Sequence, residues 1–325
     1  MCWAAMFFVP ITAQRTGLGV AMASSWNTAA YPRTALSIYP PTMVLTQDRI
    51  AADLPRLGVQ TGDVLMIHSS LRSLGHVVGG AATVVDALLE VLGPTGTLVG
   101  PSFNFETAQD PGFVFDPLNT PSDMGAVADE IRLRAGNLRS RHLTHSVSAI
   151  GPQARIIVSA PGKTAWAADS PLGTIFKLDG RFLLLGVTYQ SFTACHVLEV
   201  AFHLRYRIID TLRRRLRRTD GSLVPYESIV YLRDVGYPGY DFNRLGQAME
   251  DAGLTSVAPV GNAVARLIPA RLLSEYATPR VQRDPDYLLQ QGSGVTPLTC
   301  GVTLTLPGGV LSVVDPGVVF RAPRT

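Results

Sequence analysis

The sequence FLLLGVTYQSFTACHVLE occupies residues 182–199 and changes character at its middle. Its first four residues, Phe182 to Leu185, form an apolar run with the length and composition of a buried strand. Gly186 favours a turn after this strand, and a helix is predicted to begin near Thr193, with Thr193 as its cap. A buried strand that leads into a helix is typical of layered α/β proteins.

The second half of this stretch contains residues that could do chemistry. His196 and Glu199 are three positions apart, which places both side chains on one face of the predicted helix. A histidine there could accept a proton near neutral pH, and a carboxylate beside it could hold the ring in one orientation. Taken alone, the pattern also fits a capped helix with a partly buried histidine, so both interpretations stand at this point.

Nucleophilic catalysis is disfavoured. Cys195 precedes His196, but adjacent helical residues point about 100° apart and do not face each other, so we expect Cys195 to be a core residue. The chain also has no GxSxG sequence, which lowers the case for a Ser-His-Asp hydrolase.

Outward from residues 182–199, predicted strands and helices alternate along the chain. We predict a helix capped by Thr46 and closed by Gly58, and a second helix capped by Asp123. The helix capped by Asp123 is predicted over 124–134. The remaining helices are predicted over 83–92, 242–252 and 262–273, and the strands over 63–68, 97–100, 146–150, 182–185, 223–224 and 229–232, with 172–176 as either. This alternation predicts a single layered α/β domain with a mixed central sheet flanked by helices.

The bulk properties of the chain exclude several classes of protein. Its 325 residues are 46% hydrophobic and 16% charged, which is ample for a core. The net charge is +3, but the basic residues are dispersed except at 213–215 and 217–218, where an exposed strand or helix end is expected, so no nucleic-acid partner is predicted. Three cysteines without a CxxC pattern indicate a reducing compartment and no structural metal.

The chain shows no signal for a membrane. No apolar run reaches the length of about 18 residues that a spanning helix needs. The apolar run from Ala4 to Val9 has no basic residues before it and is ended by Pro10, so it does not resemble a signal peptide. We therefore expect a cytoplasmic protein.

The two ends of the chain differ from its body. Residues 1–42 mix small residues, prolines and aromatics without period, and we expect a disordered leader or a misannotated start, with Met43 as the natural start. Residues 43–290 form the predicted domain. In residues 291–325 two β-like runs flank Pro307-Gly308-Gly309, so this tail is predicted to be a hairpin or disordered.

Three polar clusters lie outside the opening stretch. His68-Ser69-Ser70 ends a predicted strand and could bind a polar ligand, or simply form a strand-end turn. Residues 139–146 contain two arginines and two histidines, which suit phosphate or carboxylate, or a solvated basic loop. A loop region with Glu106, Asp110, Asp116 and Asp123 would favour a cationic substrate, although acidic loops are usually just solvated.

Several segments together resemble the aminoglycoside 3-N-acetyltransferases, and they occur in that family's order. The resemblance covers residues 43–288 and is specific because of the number of ordered matches. It is carried by Leu57–Leu71, Gly79-Gly80, Gly93–Leu98, Phe115-Asp116-Pro117, Arg139–His142, Ser170-Pro171, Leu183–Gly186, Thr193–Glu199 and Gly261–Leu273.

The resemblance implies acetyl transfer from acetyl-CoA to the 3-amino group of a 2-deoxystreptamine aminoglycoside, a role in antibiotic resistance, and an α/β fold particular to this family. No metal is implied, and a homodimer is left open. Carried over position by position, His196 becomes the general base, with Glu199 or Asp234 as the orienting carboxylate. The CoA side is implied to include His68, Ser69, Ser70, Leu71 and Ser170, and the substrate side Glu106 and Thr193.

The chain departs from the family pattern on the acceptor side. His142 is followed by Leu143 where relatives have proline, the loop before Ser170 carries Trp166 and lacks a histidine, and Arg233 stands in a region that is more acidic in relatives. Two alternatives therefore remain: the same acyl transfer to a different amine, or a CoA-binding relative without catalysis.

Overall fold

The computed structural model describes residues 44–105, 108, 110–234 and 236–291, together with the strand backbone of 302–306 and 309–313. The predicted leader 1–42 lies outside the described residues, as does most of the tail. The helices are α1 (Gln47–Leu57), α2 (Leu71–Leu74), α3 (Gly80–Leu92), α4 (Ala126–Ala135), α5 (Ala154–Val158), α6 (Pro171–Lys177), α7 (Cys195–Ala201), α8 (Phe242–Asp251) and α9 (Ala270–Arg283). The strands are β1 (Val64–Ser69), β2 (Thr97–Pro101), β3 (Val114–Phe115), β4 (Val147–Ile150), β5 (Arg181–Leu185), β6 (Arg207–Arg217), β7 (Leu223–Arg233), β8 (Ser256–Val260), β9 (Ala263–Pro269), β10 (Val302–Leu306) and β11 (Gly309–Val313).

A six-stranded mixed sheet forms the centre of the fold, in the order β4-β2-β1-β5-β9-β8. Strand β1 is parallel to β2 and β5, whereas β4, β9 and β8 each join the sheet antiparallel to a neighbour. The mixed-sheet prediction is therefore confirmed. Strands β3, β6 and β7 form a second, three-stranded sheet.

Helices cover both faces of the central sheet because its strands are apolar on both sides. Leu65 and Ile67 of β1 pack in a core shared with α1 and α3, whereas Met66 packs in the other core with α7 and α9. Strands that alternate into two cores must be buried on both faces, as in α/β proteins whose helices lie on both sides of a parallel sheet.

Several predicted elements are confirmed and others are wrong. Helix α1 ends at Gly58, whose left-handed φ of 109° fits the glycine cap. Thr46 holds the N-cap position without a side-chain cap bond. Gly125, not Asp123, occupies the N-cap of α4, because Asp123 instead accepts a hydrogen bond from the Phe105 N–H. The segment 172–176 is helical, within α6.

The largest error concerns residues 262–273. The sequence pattern predicts one helix there, but Ala263–Pro269 is strand β9, and the helix begins only at Ala270. Strand β9 is the antiparallel neighbour of β5, and this long-range pairing overrides the local helical pattern. The strands predicted at 223–224 and 229–232 are one continuous strand, β7, because it pairs along its whole length with β6.

In the tail, β10 and β11 pair as an antiparallel ladder. The rest of the predicted tail lies outside the described residues. Within the described part of the chain, no helix combines the length and apolar character needed to cross a bilayer.

Candidate active site

The site lies where the parallel strands β1 and β5 end. Because the two strands run side by side in the same direction, the segments that follow them leave from one edge of the sheet, and the Ser70 N–H donates to the Leu185 carbonyl at 2.9 Å. Ligand sites of α/β sheets occur at this carboxyl edge. After β5 the chain passes through a 3₁₀ turn, Tyr189–Ser191, into α7.

Helix α7 begins one residue later than a Thr193 cap requires. Its N-cap is Ala194, and no side chain caps the helix. The Thr193 hydroxyl instead lies 3.1 Å from Nε2 of His68, across from the end of β1. The predicted cap is therefore wrong, because the Thr193 hydroxyl bonds to His68 of β1 instead of capping α7.

His196 and Glu199 lie on one face of α7, as their spacing predicts, and Nδ1 of the imidazole is 2.6 Å from Oε2 of the carboxylate. Glu199 is fully buried, and the side chain of His196 is 12% exposed. Arg207 donates from Nε to the same Oε2 at 2.8 Å, and the Tyr206 hydroxyl donates to Oε1 at 3.0 Å. The side chains of His196, Arg207 and Tyr206 therefore all meet the buried carboxylate of Glu199.

The charges of this cluster fix the tautomer of His196. Burial alone would raise the pKa of Glu199, but Arg207 and His196 beside it outweigh burial and hold that pKa below its ordinary value. An ionised carboxylate can only accept, so Nδ1 of His196 carries the hydrogen that it shares with Glu199. The other nitrogen, Nε2, keeps its lone pair and has no hydrogen-bond partner among the described residues.

His196 is held in its neutral form. Burial, and after it the positive charge of Arg207, lowers the pKa of His196 below 6.5, although Glu199 acts in the opposite direction. The guanidinium of Arg207 lies against Nδ1 because its N–H groups and the Nδ1–H are directed at the same Oε2 of Glu199. A neutral imidazole with a free Nε2 is the form that can accept a proton at neutral pH.

Aromatic rings enclose the imidazole. The ring centroids of Trp166, Tyr240 and Phe242 lie 4.5, 5.2 and 5.1 Å from that of His196. The guanidinium carbon of Arg207 lies 5.2 Å from the Trp166 centroid and 5.0 Å from that of Tyr240. Bulk water is thus largely excluded from both His196 and Arg207.

Asp234 is near this cluster but is not bonded to the imidazole. Its backbone N–H donates to the carbonyl of Tyr206 at 2.9 Å, while its carboxylate accepts from the Gly236 N–H at 2.8 Å. Of the two carboxylates suggested by the sequence, Glu199 is therefore the one in contact with His196.

Among the residues expected on the CoA side, His68 contacts Thr193, whereas Ser70 and Ser170 cap helices. His68 is buried, which lowers its pKa to about 4, so it meets Thr193 as a neutral ring. Ser69 and Leu71 flank Ser70, whose hydroxyl caps α2 and is 2.9 Å from that of Ser73. Ser170 is fully buried and accepts from the Gly173 N–H as the N-cap of α6.

The described carboxylates of the acidic loop region do not form a common acidic surface. Asp116 accepts from the N–H groups of Leu118 and Asn119, and Asp110 accepts from that of Gly112, so both carboxylates stabilise their own turns. Glu106 lies outside the described residues.

The basic cluster at 139–146 is mostly internal. Arg139 is buried and donates to the Ser102 carbonyl and to Oδ1 of Asn104, each at 2.7 Å, so its guanidinium is committed to the protein itself. His142 and His145 are buried as well, and burial lowers the pKa of His142 to about 4. This arrangement does not fit phosphate binding by Arg139, nor a solvated loop at Arg139, His142 and His145. Arg141, by contrast, is exposed.

Sequence reasoning missed Arg207, Tyr206, Trp166 and Tyr240 as members of the site. A buried arginine needs a carboxylate partner, but nothing in the local sequence separates Arg207 from Arg205, which is half exposed and pairs with Asp286. These residues are distant from His196 along the chain or carry no recognisable motif, so the sequence did not indicate that they lie together. Among the described residues, no cluster of three or more His, Cys, Asp or Glu could hold a metal ion.

This geometry defines the class of protein as an α/β protein with an oriented, neutral histidine at the carboxyl edge of its parallel strands. Comparison with known proteins narrows that class. The aminoglycoside 3-N-acetyltransferase family model matches residues 66–282. Aminoglycoside N(3)-acetyltransferase IV of Salmonella sp is 33% identical over 248 residues, which cover 75% of this chain and 90% of the relative. Aminoglycoside N(3)-acetyltransferase VIII of Streptomyces fradiae is 34% identical over 246 residues, which cover 66% of this chain and 86% of the relative.

Solved structures show the same fold. The apoenzyme of aminoglycoside acetyltransferase AAC(3)-IVa superimposes with a TM-score of 0.63 at 29% identity, covering 78% of this chain and 95% of that one. AAC-VIa bound to sisomicin gives a TM-score of 0.66 at 28% identity, covering 74% and 98%. The chain therefore belongs to the aminoglycoside 3-N-acetyltransferase family and is an acyltransferase.

Proposed function

We propose that this protein transfers the acetyl group of acetyl-CoA directly to the 3-amino group of a 2-deoxystreptamine aminoglycoside, with His196 as the general base. The observation that carries the proposal is the hydrogen bond from Nδ1 of His196 to the buried Glu199, which leaves Nε2 free to take a proton. Family membership supports the acetyl donor, and AAC-VIa bound to sisomicin supports the class of acceptor.

The reaction needs a base because an ammonium group has no lone pair with which to attack a thioester. Nε2 of His196 accepts one proton from the ammonium group, and the freed amine nitrogen bonds to the acetyl carbon. The tetrahedral intermediate then breaks its C–S bond, the departing CoA thiolate takes the second proton from the nitrogen, and an amide and CoASH result. Positioned general-base catalysis of this kind is typically worth about 10²–10⁴-fold.

The buried cluster supports this step electrostatically. As His196 becomes an imidazolium, the ionised Glu199 stabilises the new positive charge through the Nδ1 hydrogen bond. Arg207 keeps Glu199 ionised but also opposes the charging of His196, so the proton is bound weakly enough to be passed on. We assign Glu199 as the orienting carboxylate, with Asp234 as a neighbour of Tyr206.

A different amine as acceptor is favoured by one observation. The guanidinium of Arg233 lies 5.6 Å from the ring centroid of Tyr240, which itself packs on His196. A guanidinium stacked on a ring that packs against His196 favours an amine acceptor of lower positive charge.

The test measures thiol release from acetyl-CoA with kanamycin, gentamicin and simple monoamines as acceptors. We expect release with an aminoglycoside, and we expect His196→Ala to lower turnover at least 10²-fold while CoA binding persists. Release only with simple amines would replace the aminoglycoside by the alternative acceptor. Near wild-type turnover of a folded His196→Ala protein would refute His196 as the base.

A further inference from the structure

The 3₁₀ turn between β5 and α7 carries two side chains, Tyr189 and Gln190, that the proposed reaction does not use. The turn and His196 belong to one connection, so the position of the turn constrains where α7 begins. Tyr189 is buried and Gln190 is half-buried. Both side chains bond to α8 or to the segment just before it, which supply two of the rings that enclose the imidazole, Tyr240 and Phe242.

Tyr189 anchors one side of the turn to α8. Its ring lies against Gly246, where an added Cβ would come within 2.0 Å of a ring carbon. A glycine inside a helix destabilises it relative to alanine, so close packing of the Tyr189 ring is the reason to have one here. The Tyr189 hydroxyl donates to Oε1 of Glu250 at 2.8 Å, and Arg266 of β9 donates from Nε to the same oxygen at 2.6 Å. The turn therefore has a fixed position on α8.

Gln190 connects the other side of the turn to Tyr240. Its side-chain N–H donates to the Tyr240 carbonyl at 3.0 Å. On its other side the Tyr240 segment is held by the chain after α9, where the Gln290 N–H donates to the Gly239 carbonyl at 2.8 Å. Gln190 therefore holds this segment from the connection that leads to His196.

The Tyr240 ring contacts both the base and the arginine beside it. Its centroid lies 5.2 Å from that of His196 and 5.0 Å from the guanidinium carbon of Arg207. It also stacks on the Phe242 ring, with centroids 5.1 Å apart and an interplanar angle of 16°. A displacement of Tyr240 would thus change the packing of two rings on His196 and admit water beside it.

We propose that Gln190 is a positioning residue of the active site, whose hydrogen bond to the Tyr240 carbonyl holds the Tyr240 ring against His196. This assignment rests on the proposed function, because it gives His196 the role of base. Tyr240 lies outside the described helices and strands, where it forms an isolated bridge to Leu289, so its backbone relies on bonds of this kind. The Tyr189 anchor keeps the turn, and with it Gln190, in place against α8.

Loss of the Gln190 bond has two expected effects. Water admitted beside His196 removes part of the burial that now lowers the imidazole pKa. A loosely packed imidazole also spends less time in the orientation that proton transfer requires, so kcat falls. The charged and titratable groups near the imidazole stay unchanged in the variants, namely Glu199 on α7, Arg207 on β6, Tyr240 itself and His145 beyond Trp166.

The test compares Gln190→Met and Gln190→Asn with the wild type, each as the full chain. Methionine keeps the length of the side chain without a donor, and asparagine keeps the amide but is shorter by one methylene, so its N–H no longer reaches the carbonyl. Gln247→Met is the matched control, because Gln247 is exposed on α8 and donates to Asp251 at 3.0 Å. In thiol release from acetyl-CoA, we expect both Gln190 variants to lower kcat about threefold to tenfold, as for loss of one hydrogen bond, with KM for acetyl-CoA unchanged.

A second measurement does not depend on turnover. Titration of the histidine side chains by NMR gives the pKa of His196, whose signals are assigned by their loss in His196→Gln. We expect both Gln190 variants to raise that pKa toward 6.5, and Gln247→Met to leave it at the wild-type value.

The outcomes separate this proposal from the proposed function. A raised pKa of His196 in both Gln190 variants supports the positioning role. If the wild type releases thiol with none of the amines, the proposed function fails, whereas the raised pKa still shows that Gln190 holds the Tyr240 ring on His196. An unchanged pKa in folded Gln190 variants refutes the positioning role, whatever their kcat. A rise confined to Gln190→Met refutes it as well, because the added apolar surface and not the lost bond would then be the cause.

Discussion

At the scale of single residues, the site depends on one buried carboxylate that serves three donors. Glu199 accepts from His196, Arg207 and Tyr206, and each of these bonds has a different consequence. Arg207 keeps the carboxylate ionised, and the ionised carboxylate fixes the tautomer of His196. A buried charge is tolerated only where such partners satisfy it, which explains why an arginine and a tyrosine accompany the pair.

We predict that Glu199→Gln lowers kcat/KM by about 10²-fold or more, because the amide neither enforces the Nδ1–H tautomer nor stabilises the imidazolium. Asp234→Asn is the matched control, since its carboxylate bonds only locally to Gly236, and it should change kcat/KM less than tenfold. Steady-state kinetics on both proteins, with CoA binding as the check on folding, measures this. A greater loss in Asp234→Asn would transfer the orienting role to Asp234.

At the scale of elements, the loop between α5 and α6 covers the base. Its backbone is attached to β7, where the Ile229 N–H donates to the Lys163 carbonyl at 3.0 Å. It places Trp166 between the rings of His145 and His196, at centroid distances of 4.6 and 4.5 Å. The indole Nε1–H is buried and has no hydrogen-bond partner within the described part of the chain, so packing holds this ring there.

We predict that Trp166→Ala moves the acid limb of the kcat/KM–pH profile upward, toward the ordinary histidine value of 6.5. Water admitted beside His196 removes part of the burial that now lowers its pKa. Trp166→Phe is the control, because it keeps an aromatic cover over His196 although it removes the N–H and part of the indole ring, and its profile should lie close to that of the wild type. Equal shifts in both variants would show that the N–H, not the cover, sets the pKa.

At the scale of the whole molecule, the site joins the two sheets. Glu199 follows β5 of the central sheet, whereas Arg207 begins β6 of the second sheet and also donates to the Tyr231 carbonyl of β7 at 2.9 Å. His68, His142 and His145 are buried in the same region, at the ends of different strands. Folding therefore carries several neutral histidines into the interior together.

We predict that the free energy of unfolding falls as the pH drops from 6.5 toward 4. Burial lowers the pKa of His68 and of His142 to about 4, against 6.5 in an exposed histidine. Between these values the unfolded chain binds more protons than the folded one, so acid favours unfolding, by up to about 3 kcal/mol for each histidine. By about pH 7.5 both histidines are essentially neutral in both states, so they contribute no slope there.

Denaturant unfolding at pH 7.5, 6 and 5 measures this dependence. His203→Gln is the control, because His203 is exposed and the buried histidines all remain in this variant, so it should keep the wild-type slope. His142→Gln should flatten the slope, because one of the buried titrating groups is gone. A wild-type free energy that stays constant from pH 7.5 to 5 would contradict the prediction.

The sequence by itself determined the features that depend on neighbours along the chain. The spacing of His196 and Glu199 fixes that they meet, since residues three apart on a helix share a face. Gly58 fixes the end of α1 because it adopts a left-handed conformation easily, and the apolar runs fix β1, β2 and β5. The family motifs, which occur in the family's order along the chain, identified the family.

Only the tertiary structure decided the features that depend on contacts between distant segments. Strand β9 exists because β5 offers it a pairing edge, although its sequence resembles a helix. Arg207 is buried at the start of β6, where it meets Glu199 of α7, whereas Arg205, in the turn before β6, is exposed and pairs with Asp286. Where Asp234 lies relative to His196, and which arginine is buried beside Glu199, follow from how the two sheets pack, and no local pattern encodes that packing.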